Sequence, residues 1–377
     1  MRILMLSYEF PPLGGGGAKA VYGLSNELVK LGHEVDLVTM GFKGLPSYEN
    51  VNGVNVHRVP CIRSNVSICS THEMITYAFS ALRTVLKLVN KNQYHFNHTH
   101  FIFPDGVVAF LLKKIKKIPY IITAHGSDVP GFNPDRFKLE HKLLKPLWNK
   151  VVNGSSQIIC MSENLKSLFQ LVSNKEVTII PNAIVESRFN PNRVKYKRIL
   201  VVSRMFDRKG IQYFVRALSG LNTGFEVHIV GDGPYLESLK RLSNELGVKA
   251  RFYGWLDNTS TELLELYETS SIFVLPSESE NFPIVLLEAM AAGMAIITTK
   301  STGCAEVVGD AALLVEPRNP IAIKEALIKL MSNPDLCEEL GKNARKRVEN
   351  SFNWNSIAMT YANLYEKYVI TEQNLKV

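Results

Sequence analysis

No stretch of this 377-residue sequence is apolar for long enough to lie across a bilayer, which takes about 20 consecutive residues in a helix. Met1–Ser7 is too short an apolar run for a signal peptide and leads straight into a glycine loop. Cysteine is scarce. Cys61, Cys69, Cys160, Cys304 and Cys337 are scattered, odd in number and without metal-ligand spacing. That argues against a disulfide framework or a zinc site and for reduced thiols in a cytosolic protein. Low-complexity tracts and short-period repeats are also missing, which sets aside solenoids. The hydrophobic fraction of 46% is that of an ordinary folded protein, so wholesale disorder is not expected.

What is present is a repeated rhythm. Short β-branched runs at Arg2–Ser7, Glu34–Thr39, Asn55–Val59, Tyr120–Thr123, Gln157–Met161 and Val177–Ile180 read as strands. Helical periodicity falls between them at Ala18–Leu31, Met74–Val89, Gly106–Lys114, Phe137–Val151 and Glu163–Leu171. The second half repeats this, with strands expected at Arg198–Val202, Glu226–Val230, Ala250–Tyr253, Ile272–Leu275, Ala295–Thr298 and Ala312–Val315. Strands alternating with helices imply parallel sheets covered on both faces. The expectation is an α/β protein of two Rossmann-like domains facing across a cleft, with a boundary near the polar stretch Asn190–Lys197. The length alone favours two domains over one core.

Charge is uneven. Residues 1–190 hold 21 Lys+Arg against 13 Asp+Glu, whereas 191–377 hold 22 of each, so the whole excess of +8 lies in the first half. An anionic partner or surface for that half follows, beside the plainer reading of a solvated basic face. Its densest parts are Lys113, Lys114, Lys116 and Lys117, and the helix carrying Arg136, Lys138, Lys142, Lys145 and Lys150 beside Phe137, Leu143, Leu144, Leu147 and Trp148. That pattern fits a basic amphipathic helix at a membrane surface, or a core helix with a basic outer face.

Ligands of open α/β sheets bind beyond the carboxyl ends of the strands. There the first strand empties into Pro11-Pro12-Leu13-Gly14-Gly15-Gly16-Gly17 and then a helix. Gly15, Gly16 and Gly17 would let backbone amides approach an anion at a helix N-terminus. The spacing is neither GxGxxG nor a P-loop, and a flexible β–α turn remains the alternative. Arg204 and Lys209 follow the first strand of the second half; two cations there suit a diphosphate that gains charge as its bond to a sugar breaks. Glu280 stands on a polar loop and Glu288 inside the apolar helix that follows, with small residues Ala289, Ala291, Ala292 and Gly293 beyond. A buried Glu288 needs polar partners, and sugar or ribose hydroxyls would serve. Amides near Asn281 and Phe282, at the helix start, could hold donor oxygens. His125 follows a strand and faces the expected cleft. His98-Thr99-His100 follows a strand-like run, but no third ligand accompanies the pair and no metal is expected. Gly231-Asp232-Gly233-Pro234 reads equally as a turn or a nucleotide contact.

Together these motifs resemble glycosyltransferase family 4, the retaining group with the two-Rossmann GT-B fold. The likeness covers nearly the whole chain: the Pro-Pro and glycine-rich opening, Gly32-His33-Glu34-Val35, His125-Gly126, Pro181-Asn182-Ala183, Ser203-Arg204 with Lys209-Gly210, Gly231-Asp232-Gly233-Pro234, and Glu280–x7–Glu288 followed by Ala289-Met290-Ala291-Ala292-Gly293. The family often has Gly where this chain has Ala183, and a polar residue where Ala18-Lys19 stand. The resemblance implies that Arg204 and Lys209 bind the donor diphosphate, Glu288 the ribose, and Glu280 with the amides near Asn281 and Phe282 the donor sugar. It implies that His125 lines the reaction centre, that Gly15–Gly17 close over phosphate and acceptor, and that Gly231 lies on the donor side.

Domain assignments follow in the same way: 1–190 for the acceptor, 191–353 for the nucleotide sugar, and a helix over about 354–377 returning to the first domain. The expected activity is transfer of a hexosyl-type sugar from a UDP- or GDP-sugar to a saccharide or lipid-linked acceptor. It would proceed with retention, without a metal or other cofactor and without nucleic acid, in a cytoplasmic protein with possible attachment to an anionic membrane. The alternatives are a nucleotide-sugar epimerase, a phosphorylase, and a non-catalytic sugar-nucleotide-binding subunit.

Overall fold

A computed structural model describes residues 1–66, 68–132, 138–221, 224–300 and 302–374. The chain divides into two compact units, one formed by Met1–Ala183 with the segment from Trp354 onward, the other by Ile184–Asn353.

The first unit runs β1 (Arg2–Leu6), α1 (Gly16–Lys30), β2 (Glu34–Met40), β3 (Tyr48–Val51), β4 (Val54–Val59), α2 (Thr71–Lys91), β5 (Phe96–His100), α3 (Asp105–Lys116), β6 (Tyr120–Thr123), α4 (Lys138–Gly154), β7 (Gln157–Cys160), α5 (Glu163–Gln170) and β8 (Val177–Ile179). Its sheet has the order β3-β4-β2-β1-β5-β6-β7-β8. All neighbours are parallel except β3, which pairs antiparallel with β4. This departs from the expected all-parallel sheet, and its cause is local. Asn52 and Gly53 both take positive φ, 51° and 91°, the two-residue turn that closes a hairpin. The side chains of each strand alternate between two cores. Leu4, Leu6, Val38, Met40 and Ile122 face the side that holds Tyr77 and Ala81 of α2, Val108 of α3 and Trp148 of α4. Ile3, Met5, Val35, Leu37 and Ile121 face Val21 and Leu24 of α1.

The second unit runs β9 (Tyr196–Val202), α6 (Ile211–Leu218), β10 (Glu226–Val230), α7 (Leu236–Glu245), β11 (Arg251–Phe252), α8 (Thr261–Thr269), β12 (Ser270–Leu275), α9 (Ile284–Ala291), β13 (Ala295–Thr299), α10 (Thr302–Val308), β14 (Leu313–Val315), α11 (Pro320–Met331) and α12 (Pro334–Ser351). Its parallel sheet has the order β11-β10-β9-β12-β13-β14. α11 and α12 each begin with proline behind an asparagine cap, Asn319 accepting from Ala322 N–H and Asn333 from Leu336 N–H, which satisfies amides the first turn leaves open.

The last helix, α13 (Trp354–Asn374), packs against α1 and the sheet of the first unit through Trp354, Ile357, Ala358, Tyr361 and Tyr365. Residues 375–377 of the segment expected to be helical lie outside the described residues, as do Arg136 and Phe137 of the helix expected over Phe137–Val151. The units part at Ala183/Ile184, ahead of the polar stretch 190–197. That stretch is tied into the second unit, because Asn190 N–H and the Arg193 guanidinium both donate to Glu268, at 2.8 and 3.1 Å. Among the described residues no helix is long and apolar enough to cross a membrane. All five cysteines are free.

Candidate functional site

Each sheet has one place where the chain reverses its direction of growth. In the first unit it lies between β1 and β5, in the second between β9 and β12. Connections leave such neighbouring strands in opposite directions and open a crevice at their carboxyl ends. The loops after β9 and β12 carry Arg204, Lys209 and Glu280, and those after β1, β5 and β6 carry the glycines, Phe101 and His125.

In the second unit Lys209 and Glu280 are brought into contact as an ion pair, with side chains 10% and 12% exposed. Ser277 Oγ donates to the same carboxylate oxygen, Oε1, at 2.8 Å. Burial alone would raise the Glu280 carboxyl, but the Lys209 charge and hydrogen bond outweigh it and hold the group below the usual glutamate range. Burial also draws the Lys209 ammonium down, against the pull of Glu280. The pair is therefore a desolvated cation held by one carboxylate. Arg204, by contrast, is exposed, with its guanidinium 5.6 Å from the Phe206 ring centroid. Backbone locks the loops in place: Glu278 N–H donates to Arg208 O at 2.9 Å, and Gly210 packs so tightly on Pro276 that a Cβ would strike its carbonyl. Gly210 has φ +68°, so a side chain there would be strained as well as crowded.

Glu288 is 5% exposed on α9 and accepts from Tyr267 Oη at 2.8 Å. The phenol is kept protonated by burial first and by Glu288 second. Tyr267 was not legible as a site residue; its only signal is a tyrosine on the helix preceding β12. Asn281 and Phe282 are buried, 7% and 9% exposed, and Gly303 packs directly on the Asn281 carbonyl. Gly231, expected on the donor side, also has a backbone reason to be glycine. At φ +131° it passes so close to Ser203 that a Cβ would overlap the serine carbonyl.

In the first unit α1 starts inside the glycine run, with Gly15 as its cap residue and no side-chain cap. A Cβ on Gly15 would meet open space, whereas one on Gly17 would stand 2.8 Å from Phe101 and 3.5 Å from His125 Nδ1. The helix N-terminus thus brings amides beside the His125 ring, and one of them, Gly15 N–H, donates to the Glu9 carboxylate at 3.4 Å; such a helix start suits an anion or a hydroxyl. Phe101 stacks on His125 at 4.2 Å between centroids. Asp128, a residue the sequence did not single out, ties the surrounding loops together. Its Oδ1 accepts from His125 and Gly126 N–H at 3.0 and 2.9 Å, and its Oδ2 from Ile102 N–H at 2.8 Å.

His98 and His100 lie within β5, not after it, and share one face as alternate strand residues must. Both are engaged. His98 Nδ1 meets Tyr365 Oη at 2.7 Å and its Nε2 meets Thr123 Oγ1 at 2.9 Å, while His100 Nδ1 meets His125 Nε2 at 3.1 Å. Burial pushes His98 and His125 down to about 3, and His100 down as well, so these rings are neutral near pH 7. Among the described residues no cluster of His, Cys, Asp or Glu could hold a metal ion.

A groove of about 850 Å³ in the second unit, lined by Arg198, Glu226, His228, Arg251 and Tyr253, lies toward the amino ends of β9, β10 and β11. Its Glu226 already pairs with Arg198 at 2.7 Å and His228 at 3.2 Å. It is remote in the sheet from the strand ends that carry the nominated residues.

Two Rossmann-like domains of this topology, each with a polar loop at its reversal point, define the GT-B class of glycosyltransferases. The comparisons narrow this. Residues 14–188 match the model "Glycosyltransferase Family 4" and residues 184–347 the model "Glycosyl transferases group 1". A glycosyltransferase of Methanocaldococcus jannaschii, itself described as uncharacterized, is 30% identical over 98% of its length and 97% of this chain. Among solved structures, sucrose-phosphate synthase from Thermosynechococcus elongatus superposes with TM-score 0.85 at 22% identity, covering 98% of this chain and all of that one. Anabaena HepE in complex with UDP-glucose superposes with TM-score 0.77 at 16% identity, covering 97% and 100%. The chain belongs to glycosyltransferase family 4.

Proposed function

We propose that this glycosyltransferase moves a hexosyl sugar from a UDP- or GDP-sugar onto a saccharide or lipid-linked acceptor, with retention and without a metal ion. The observation that carries the reading is the buried Lys209–Glu280 pair beside exposed Arg204 at the reversal point of the second unit. Lys209 and Arg204 would meet the diphosphate, whose negative charge grows as the sugar–oxygen bond breaks; fixed cations aimed at developing charge favour that step. Glu280 would orient the donor sugar together with the amides of Asn281 and Phe282. Glu288, steadied by Tyr267, would accept from the ribose hydroxyls, which every nucleotide sugar shares. His125 and the amides of Gly15–Gly17 would hold the sugar and phosphate oxygens from the first unit. The acceptor oxygen would attack on the face the diphosphate leaves, and a departing phosphate oxygen would take the acceptor's proton.

A thermal-shift screen of UDP- and GDP-sugars in EDTA tests this, with Arg204→Ala as control because that side chain is exposed and its removal spares the core. A ligand at 100 times its Kd adds about 2.7 kcal/mol to the native state. A shift that survives EDTA and disappears in the variant is the expected outcome; no shift from any nucleotide sugar at millimolar concentration would overturn the donor assignment.

The lipid-linked acceptor rests on the helical face of the first unit. Ile75, Phe79, Arg83 and Lys87 form one exposed stripe on α2, with Phe79 70% exposed. Leu111, Lys114 and Ile115 are exposed on neighbouring α3, and Lys142, Leu143 and Lys145 on α4. Apolar side chains interleaved with cations suit an anionic lipid surface, here assigned to the cytoplasmic membrane face in envelope polysaccharide or glycolipid synthesis. Flotation with anionic vesicles should recover the protein and neutral vesicles should not. Equal recovery with both at low salt would remove the membrane from the proposal.

A further inference from the structure

Lys195, the residue before β9, lies in the polar stretch that the sequence marked only as a boundary. Its ammonium donates to main-chain carbonyls at the ends of two helices. On α8 it meets Glu268 O at 2.8 Å and Tyr267 O at 3.5 Å, and on α9 it meets Ala292 O at 2.7 Å. The last carbonyls of a helix lack partners within it and carry the negative end of its dipole, so one cation with three N–H groups serves both ends at once. α9 is held a second time by α12, where Arg345 donates to Ala291 O at 2.5 Å and Gly341 packs on the Gly293 carbonyl.

These contacts close into a circuit. Lys195 Nζ donates to Ala292 O. One turn back along α9, Glu288 O accepts from Ala292 N–H at 3.0 Å. The Glu288 carboxylate accepts from Tyr267 Oη at 2.8 Å, and Tyr267 O accepts from Lys195. The Tyr267 ring is packed edge-on against Phe189 at 5.7 Å and stacked on Phe273 at 5.9 Å between centroids, so its hydroxyl follows the α8 backbone. A shift of α8 against α9 therefore has to break the bonds of the ammonium or the bond between phenol and carboxylate. Lys195 precedes β9, at the other end of that strand from Arg204 and Lys209. Its effect on a ligand has to travel through the two helices.

We infer that Lys195 is a positioning residue for the ribose of the donor: by tying the ends of α8 and α9 it sets where Tyr267 holds the Glu288 carboxylate. The inference rests on the reading of Glu288 as the ribose acceptor given above.

Calorimetry of the full chain tests it, with UDP, GDP and their 2′,3′-dideoxy counterparts as ligands. Hydrogen bonds to a charged group are worth about tenfold or more in affinity, so the wild type should bind the preferred ribonucleotide about tenfold tighter than its dideoxy form. Lys195→Met keeps the stem and removes the N–H groups. It should bring that ratio below about threefold while the dideoxy Kd changes by less than about twofold, because the dideoxy form never made the bond that is lost. Lys195→Arg, still a cation with donors, should restore the ratio. In a Tyr267→Phe background, Lys195→Met should change ribonucleotide affinity by less than about twofold, since residues acting through one contact are not additive. A lysine that only caps helices would leave the ratio unchanged or weaken both nucleotide forms alike. Either result in a folded Lys195→Met overturns the inference. Lys195→Gln, which keeps an amide donor and drops the charge, is judged by the same two criteria where Lys195→Met does not fold. A wild type that binds neither nucleotide, or binds without preference for the ribose, removes the Glu288 reading and this inference with it. A preference that survives in Lys195→Met removes the inference alone.

Discussion

The two units solve one topological problem with different side chains. Each reverses its strand order once and hangs its nominated residues on the loops at that point. The second unit puts full charges there, Lys209 against Glu280 with Arg204 beside them. The first puts there amides at a glycine-capped helix start, with the Glu9 carboxylate accepting from Gly15 N–H at 3.4 Å, and a histidine chain that burial keeps uncharged. Strand order thus chooses the place, and burial and pairing choose the chemistry. Paired cations of this kind suit a diphosphate; amides and uncharged rings suit hydroxyls.

The contrast can be broken first at Lys209. If the charged loop stabilises a departing diphosphate, Lys209→Ala should lower kcat/KM by about 10²–10³, roughly 2.7–4 kcal/mol. The single variant also leaves Glu280 buried without its cation, so its Tm should fall. Adding Glu280→Gln should recover Tm without recovering turnover. A kcat/KM within threefold of wild type would mean that the pair is only structural.

Acid should separate the units next. His98 and His125 are held near 3 in the folded chain by burial, against about 6.5 for an unfolded histidine. Between these values the unfolded state binds the extra protons, so this stability is present above about pH 6.5 and lost as pH falls towards 3. Each histidine costs about 1.4 kcal/mol per pH unit in that window, or about 2–3 kcal/mol for the two between pH 6.5 and 5.5. Urea unfolding followed through Trp148 and Trp354, both in the first unit, should show it, and His98→Gln should flatten the slope. Buried Asp105 and Asp128 are raised in the same unit and act with the opposite sign, so the difference between chains decides: a pH slope unchanged in His98→Gln would contradict the neutral-histidine account.

The smallest expected effect concerns Tyr267. Tyr267→Phe removes the 2.8 Å hydrogen bond to Glu288 and should cost about 1.5 kcal/mol of stability. It should also weaken nucleoside-diphosphate binding, with the two losses read by thermal unfolding and calorimetry. Unchanged affinity would separate Glu288 from the donor.

How much of this was legible depended on how each element is written. β12, Ser270–Leu275, ends in the apolar run Ile-Phe-Val-Leu, and a polar loop with a proline follows it. Such a strand and the site behind it declare themselves. β5 is Phe-Asn-His-Thr-His, and all five residues are buried. Thr99 Oγ1 donates to Asn97 Oδ1 within the strand, but the other partners are distant in sequence: Asn97 Nδ2 donates to Leu4 O, His98 meets Thr123 and Tyr365, and His100 meets His125. No local pattern marks it as a central strand. β3 was overlooked although its Asn52-Gly53 turn was visible, because a hairpin interrupts the strand–helix rhythm.

The sequence by itself determined the α/β alternation, the two-unit plan and the polar loops at strand ends, because hydrophobic period and glycine placement act over a few residues. It also marked Arg204, Lys209, Glu280, Glu288 and His125 as chemically unusual where they stand. Only the tertiary structure decided their partners. Lys209 meets Glu280 because β9 and β12 are neighbours at the reversal point. Glu288 meets Tyr267 from α8, and His125 meets His100 across adjacent strands, on the sheet face that α13 helps to bury. Charge state follows from desolvation and contact, which are properties of the packed sheet and not of the order of residues along the chain.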